Sequence, residues 1–168
     1  LPSDETWSYT IGADQPGDAG VIELERRIPN IPIAFDLEIS KFKDYGNSDG
    51  SGIEQPAEGV VFEVVSNTSQ QVVGTLTTNI YGFASTKDQA GAWFGAGGRP
   101  DGVSGTIPYD RAGYTIREVV DTVPDGFKQA GEWTITAEQI TDGAELQYIV
   151  DNHALSTHLQ IVKRDAQT

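Results

Sequence analysis

The sequence predicts an all-β domain, on three observations. Apolar and polar residues alternate with a period of two in one short segment after another, and clusters of Gly, Asp, Asn and Pro separate these segments. The composition, with 19 Gly, 8 Pro, no Met and many Val, Ile, Thr and Tyr residues, suits short strands joined by turns. No segment carries a convincing helical stripe; AEQITDGAE, residues 137–145, has room for one helical turn.

Strands are expected at 20–27 (GVIELERR), 35–43 (FDLEISKFK), 60–66 (VVFEVVS), 72–78 (VVGTLTT), 82–86 (GFAST), 114–120 (YTIREVV), 133–137 (WTITA) and 145–152 (ELQYIVDN). The two prolines of RIPNIPI, residues 27–33, remove backbone donors and favour an extended connector, which places a module boundary there. Residues 1–32 then belong to a preceding module plus linker, or else their WSYTI and VIELER segments add strands to the main domain. The main β-sandwich runs over 33–153. HALST, residues 153–157, is a second connector, and LQIVKRD, residues 159–165, repeats the opening of LEISKFKD, residues 37–44. The expected organisation is a tandem array in which 154–168 holds a linker and the first strand of a following repeat.

Composition narrows the function. Lys and Arg number 11 against 25 Asp and Glu, a formal net charge of -14 that repels nucleic acid and anionic membrane surfaces. No partner of either kind is expected within this stretch. The absence of Cys removes disulfides, thiol nucleophiles and thiolate metal sites together. The two histidines, His153 and His158, lie in or beside a connector, and no G-x-S-x-G, phosphate loop or H-E-x-x-H occurs. DYGNSDGSG, residues 44–52, places its acidic and amide groups off the alternate positions of a calcium loop and ends the frame at Gln55, so a polar turn is expected and no metal or cofactor. A hydrolase using paired carboxylates such as Asp110 and Glu118 has little support, because an acidic β-domain offers many such pairs. The glycine-rich stretch 87–108 is long for a loop within a compact domain, and its Trp93 and Phe94 are candidate ligand contacts or anchors that fold the loop onto the sheet.

Strand parity singles out three polar residues. Phe35, Leu37 and Ile39 share one face of their strand, and the period of two puts Lys41 on that inward face. The same counting aligns Tyr114 and Ile116 with Glu118, and Leu146, Tyr148 and Val150 with Asn152. An amine, an acid and a carboxamide are thus each expected at the interior end of a strand. One reading is a buried Lys41–Glu118 ion pair with Asn152 hydrogen-bonded to it. The other is a reaction: desolvation favours neutral forms of both groups, so a neutral amine attacks the carboxamide while Glu118 donates to the Asn152 carbonyl oxygen and passes a proton to the departing ammonia.

The ordered set K-x-[KD], G-V-x-F-E-V, TTNIYGFAS, Y-T-I-R-E-V with VPDGF, and Y-I-V-D-N resembles the CnaB-type (SpaA-type, prealbumin-like) domains of Gram-positive pilins and adhesins, over about residues 35–152. The resemblance implies an immunoglobulin-like β-sandwich whose Lys41 and Asn152 join in an intramolecular isopeptide bond promoted by Glu118. Lys43 stands where the family usually has Asp, and Asp151 beside Asn152 is a second conceivable acceptor that would face outward. The function so implied is that of an extracellular, non-enzymatic structural module of a cell-wall-anchored surface protein or pilus, in contact with neighbouring domains of its own chain. The alternative is an adhesive tip module that binds a host protein or glycan through the 87–108 loop.

Overall fold

A computed structural model describes residues 30–46, 52–89 and 91–156. The chain divides into two units, Leu1–Asn30 and Ile31–Thr168, and the described residues other than Asn30 belong to the second. The strand expected at 20–27, the repeat at 159–165 and most of the DYGNSDGSG turn lie outside the described residues.

Among the described residues nine strands form two sheets. The first is built on the long strand β1 (Ala34–Asp44), which carries β9 (Glu145–His153) along one edge. Three short strands follow one another along its other edge: β6 (Ile107–Pro108), β5 (Phe83–Ser85) and β2 (Glu54–Pro56). The second sheet has the order β4 (Val72–Thr77), β3 (Val61–Ser66), β7 (Tyr114–Glu118) and β8 (Trp133–Ile135), all antiparallel. The inner faces meet in one core, with Phe35, Leu37, Ile39 and Val150 on one side and Phe62, Val64, Leu76, Tyr114, Ile116 and Ile135 on the other. The expected all-β sandwich is therefore the observed one, and burial alternates along β7 and the end of β9 as period-2 counting requires.

Three departures have local causes. β2 is exposed at all three residues and β6 ends in Pro, so neither shows the alternation that marks a strand. β7 stops at Glu118, two residues before the expected end. The Thr122 hydroxyl accepts from the Val61 amide at 2.9 Å and donates to the Val119 carbonyl at 2.8 Å, and a 3-10 turn at Val120–Thr122 replaces the strand. The helical turn expected within 137–145 is a 3-10 turn at Ala137–Gln139, where the Gln139 side chain accepts from the Thr136 amide at 2.9 Å.

The glycine-rich insert is folded back onto the sandwich. At its base Asp36 is buried and accepts from the hydroxyls of Thr86 at 3.0 Å and Thr106 at 2.7 Å, which ties both ends of the insert to β1. Phe94 enters the core and lies against Gly74, where a Cβ would stand 2.4 Å from its ring. The bare backbone of Gly74 is what makes room for that ring.

Gly82 sets the start of β5 against β1 at Lys41. Its carbonyl accepts from the Lys41 amide at 2.7 Å, its φ is +70°, and a Cβ there would sit 2.3 Å from the Lys41 carbonyl oxygen. Gly82→Ala should cost at least about 1 kcal/mol for the left-handed backbone alone, with the clash adding to it, and lower the melting temperature by several degrees. Calorimetry checks this; an unchanged melt would mean that the turn shifts freely and does not hold β1 in place.

Candidate functional site

The three residues singled out by parity come together. Beyond Ile39, Ile116 and Val150, at one end of the core, Lys41, Glu118 and Asn152 are 0%, 3% and 0% exposed. Lys41 Nζ lies 3.3 Å from Glu118 Oε1, and Asn152 Nδ2 donates to Glu118 Oε2 at 2.9 Å. One carboxyl thus touches the amine with one oxygen and the carboxamide with the other. The Phe62 ring, its centroid 5.9 Å from Lys41 Nζ, helps to wall the site.

Burial is the larger influence on Lys41 and pushes its amine below the ordinary lysine value; the charge of Glu118 opposes the shift without cancelling it. The contact at 3.3 Å lacks hydrogen-bond geometry, and among the described residues neither Lys41 Nζ nor Glu118 Oε1 has another partner. Asn152 Oδ1 is likewise buried without a partner. This corrects one expectation. Glu118 was expected to face the Asn152 carbonyl oxygen, and it faces the amide nitrogen instead. The reason is local: the Lys128 carbonyl accepts from Nδ2 at 2.7 Å, and a carbonyl can accept only from the nitrogen end of the carboxamide.

The neighbours that competed with this trio stand elsewhere. Lys43 and Asp151 are only partly buried; Asp151 lines an outer groove, with its Oδ1 buried and without a partner among the described residues, and its charge acts weakly on Lys41. Asp110 does not join Glu118: its carboxylate accepts from Ser66 at 2.5 Å, from the Thr68 hydroxyl and from the Ala112 amide at 2.8 Å, and so braces the turn after β3. His153 is exposed and pairs with Asp44 at 2.9 Å. Phe94 is buried and packs into the core. Trp93 is half-buried, its indole nitrogen 3.4 Å from the Ala96 carbonyl within the same loop. No group of three or more potential metal ligands occurs among the described residues, and no helix there is long and apolar enough to cross a membrane.

Sequence counting missed the segment Lys128–Ala130. Its backbone carbonyl at Lys128 holds Asn152, its Ala130 amide donates to Glu118 Oε2 at 2.7 Å, and the Gln129 side chain donates to the Glu118 carbonyl at 2.7 Å. Two of these three contacts are made by main-chain atoms, which leave no residue signature.

No family model matches the chain, and no curated protein is detectably similar in sequence. Solved structures of similar shape include the minor pilin GBS52 of Streptococcus agalactiae, 15% identical with a TM-score of 0.49, where the likeness covers 80% of this chain and 50% of that one. The shaft pilin SpaA of Lactobacillus rhamnosus GG is 16% identical with a TM-score of 0.43, over 72% of this chain and 50% of that one. The major pilin subunit BcpA of Bacillus cereus is 14% identical with a TM-score of 0.39, over 74% and 31%. The chain therefore spans about half, or less, of the length of these structures.

The state of the Lys41 amine can be read from stability. Asn152→Ala leaves amine and carboxyl in place, and Lys41→Met/Asn152→Ala removes the amine as well. Because the folded-state value of Lys41 is lowered, the unfolded chain binds more protons between that value and the ordinary 10.5. The stability of the single variant relative to the double should therefore climb as pH rises toward 10.5. Urea unfolding across pH measures it, and a flat or falling difference would show an amine that is not desolvated.

Proposed function

We propose that this sandwich is a structural module of a Gram-positive surface protein or pilus, locked by one amide bond between Lys41 and Asn152 that the module forms on itself. The observation that carries the reading is the buried carboxyl of Glu118, in contact through its two oxygens with the amine at 3.3 Å and the carboxamide nitrogen at 2.9 Å. The resemblance of the strand motifs to CnaB-type domains points the same way.

The chemistry balances without an outside reagent. The neutral Lys41 amine attacks Asn152 Cγ, a C–N bond forms, and the Cγ–Nδ2 bond breaks. The amine gives up a proton to Glu118, and Glu118 gives one to Nδ2, which departs as ammonia; the carboxyl ends as it began. Positioning does most of the work, because reactants held in line save about 7–11 kcal/mol of an otherwise slow aminolysis. The bond closes a loop of about 110 residues, for which the chain-entropy account gives about 4–5 kcal/mol of stabilisation. It ties the first strand of the sandwich to the last.

Intact-mass spectrometry tests the reading. The unaltered chain should weigh one ammonia less than its sequence requires, whereas Lys41→Ala and Glu118→Ala should keep full mass and melt more than ten degrees lower, on the order expected for losing a cross-link of this span. Loss of water instead of ammonia would move the acceptor to Asp151. Full mass in the unaltered chain would reduce the trio to a buried ion pair.

A further inference from the structure

The segment Lys128–Ala130 lies against the trio and bonds to Glu118 and Asn152. It is fastened at Lys128, whose amide donates to the His153 carbonyl at 2.9 Å, and just before it at Phe127, which bridges to Ala154 and meets the Tyr45 ring edge-on with centroids 5.1 Å apart. On its outer side lies a groove of about 590 Å³ lined by Trp133, Tyr148, Ile149 and Asp151 as well as by the segment itself. Three residues of backbone thus separate the reacting groups from the outside.

The two main-chain contacts are not equivalent to generic packing. Glu118 Oε2 already accepts twice, from the Ala130 amide at 2.7 Å and from Asn152 Nδ2 at 2.9 Å. A proton placed on Oε2 would meet two other hydrogens. Oε1 accepts from nothing and faces Lys41 Nζ at 3.3 Å. Of the two carboxyl oxygens, Oε1 is therefore the one whose acceptor positions are open, and it is the one nearer the amine. The Lys128 carbonyl, by taking the other Nδ2 proton at 2.7 Å, keeps the leaving nitrogen turned toward the carboxyl and leaves Oδ1 free to develop charge.

We propose that Ala130 and Lys128 are positioning residues for cross-linking that act through their main chain: the Ala130 amide assigns the mobile proton to Glu118 Oε1, and the Lys128 carbonyl aims the departing nitrogen of Asn152. The inference rests on the cross-linking reading above and adds to it a division of labour between the two carboxyl oxygens. As the C–N bond forms and the Cγ–Nδ2 bond breaks, Oε1 gives its proton to the lone pair of Nδ2, which leaves as ammonia, and takes the attacking amine's proton in its place.

The test follows ammonia loss by intact mass in chain synthesised in a cell-free reaction and sampled over time. Ala130→Pro removes the donor, and replacing the Ala130 amide by an ester, through semisynthesis with the corresponding α-hydroxy acid, removes it without touching the side chain. Each should slow the first-order loss of ammonia about ten- to a hundredfold, as expected when a charged acceptor loses one donor, while the final mass stays that of the cross-linked chain. The ester variant decides the matter if Ala130→Pro does not fold. Cross-linking of the ester variant at the unaltered rate, with only a lower melting temperature, would overturn the positioning role and leave the cross-link standing. An unaltered chain that never loses ammonia would overturn the cross-link itself.

Discussion

The parallel pairing of β1 with β9 is the constraint on which the rest depends. Antiparallel neighbours can be joined by a tight turn, but parallel neighbours need a crossover, and here everything from β2 to β8 serves as that crossover. The register runs unbroken from Asp36 opposite Glu145 to Asp44 opposite His153. Because the strands point the same way and share the period of two, Lys41 and Asn152 emerge on the same inner face near the same end of the sheet. Glu118 arrives from the opposite sheet, where its register with Phe62 puts it at the end of the β3–β7 ladder. Two sheets and three strands must be in place before the trio exists, so any chemistry it performs follows folding.

A dry site with three polar side chains is costly unless they satisfy one another. Here they do so only in part. Glu118 Oε2 and Asn152 Nδ2 are well bonded, while Lys41 Nζ, Glu118 Oε1 and Asn152 Oδ1 are left over. An arrangement selected only as an ion pair would gain by closing those contacts. On the proposed reading the unmet atoms of the trio are the ones a bond-forming step would use: the nucleophile, the oxygen that takes its proton, and the oxygen on which charge develops. Trp133 Nε1 and Asp151 Oδ1 are buried without a partner as well.

Much of this was legible in the sequence because one rule governs both fold and site. Alternation located the strands, and carrying the alternation one step past the last apolar residue located Lys41, Glu118 and Asn152. What alternation cannot see was missed. β2 and β6 are too short and too proline-marked to show a period, and β7 was read two residues too long because the Thr122 hydroxyl that ends its ladder resembles any other polar residue. The orientation of the Asn152 carboxamide depends on the Lys128 carbonyl, a group that every residue possesses. Phe94 and Trp93 are adjacent and chemically alike, and it is Phe94 that enters the core, fitted against the bare backbone of Gly74 with its amide bonded to the Thr106 carbonyl at 2.9 Å.

The position of the insert on β1 follows the same logic. Asp36, which fastens both ends of the insert through Thr86 and Thr106, precedes Lys41 by five residues, or about 16 Å along an extended strand. Loop variation and chemistry are therefore set at different levels of one strand. In the proposed reading a pull on the module enters β1 near Ala34, runs to Lys41, crosses to Asn152 and leaves at the end of β9. Residues 42–151, with the insert among them, hang from that path without bearing the load. A loop so placed can lengthen at the slow cost of closure entropy, and on that reading the strength of the module along its axis is set by one covalent bond and the few residues that align it.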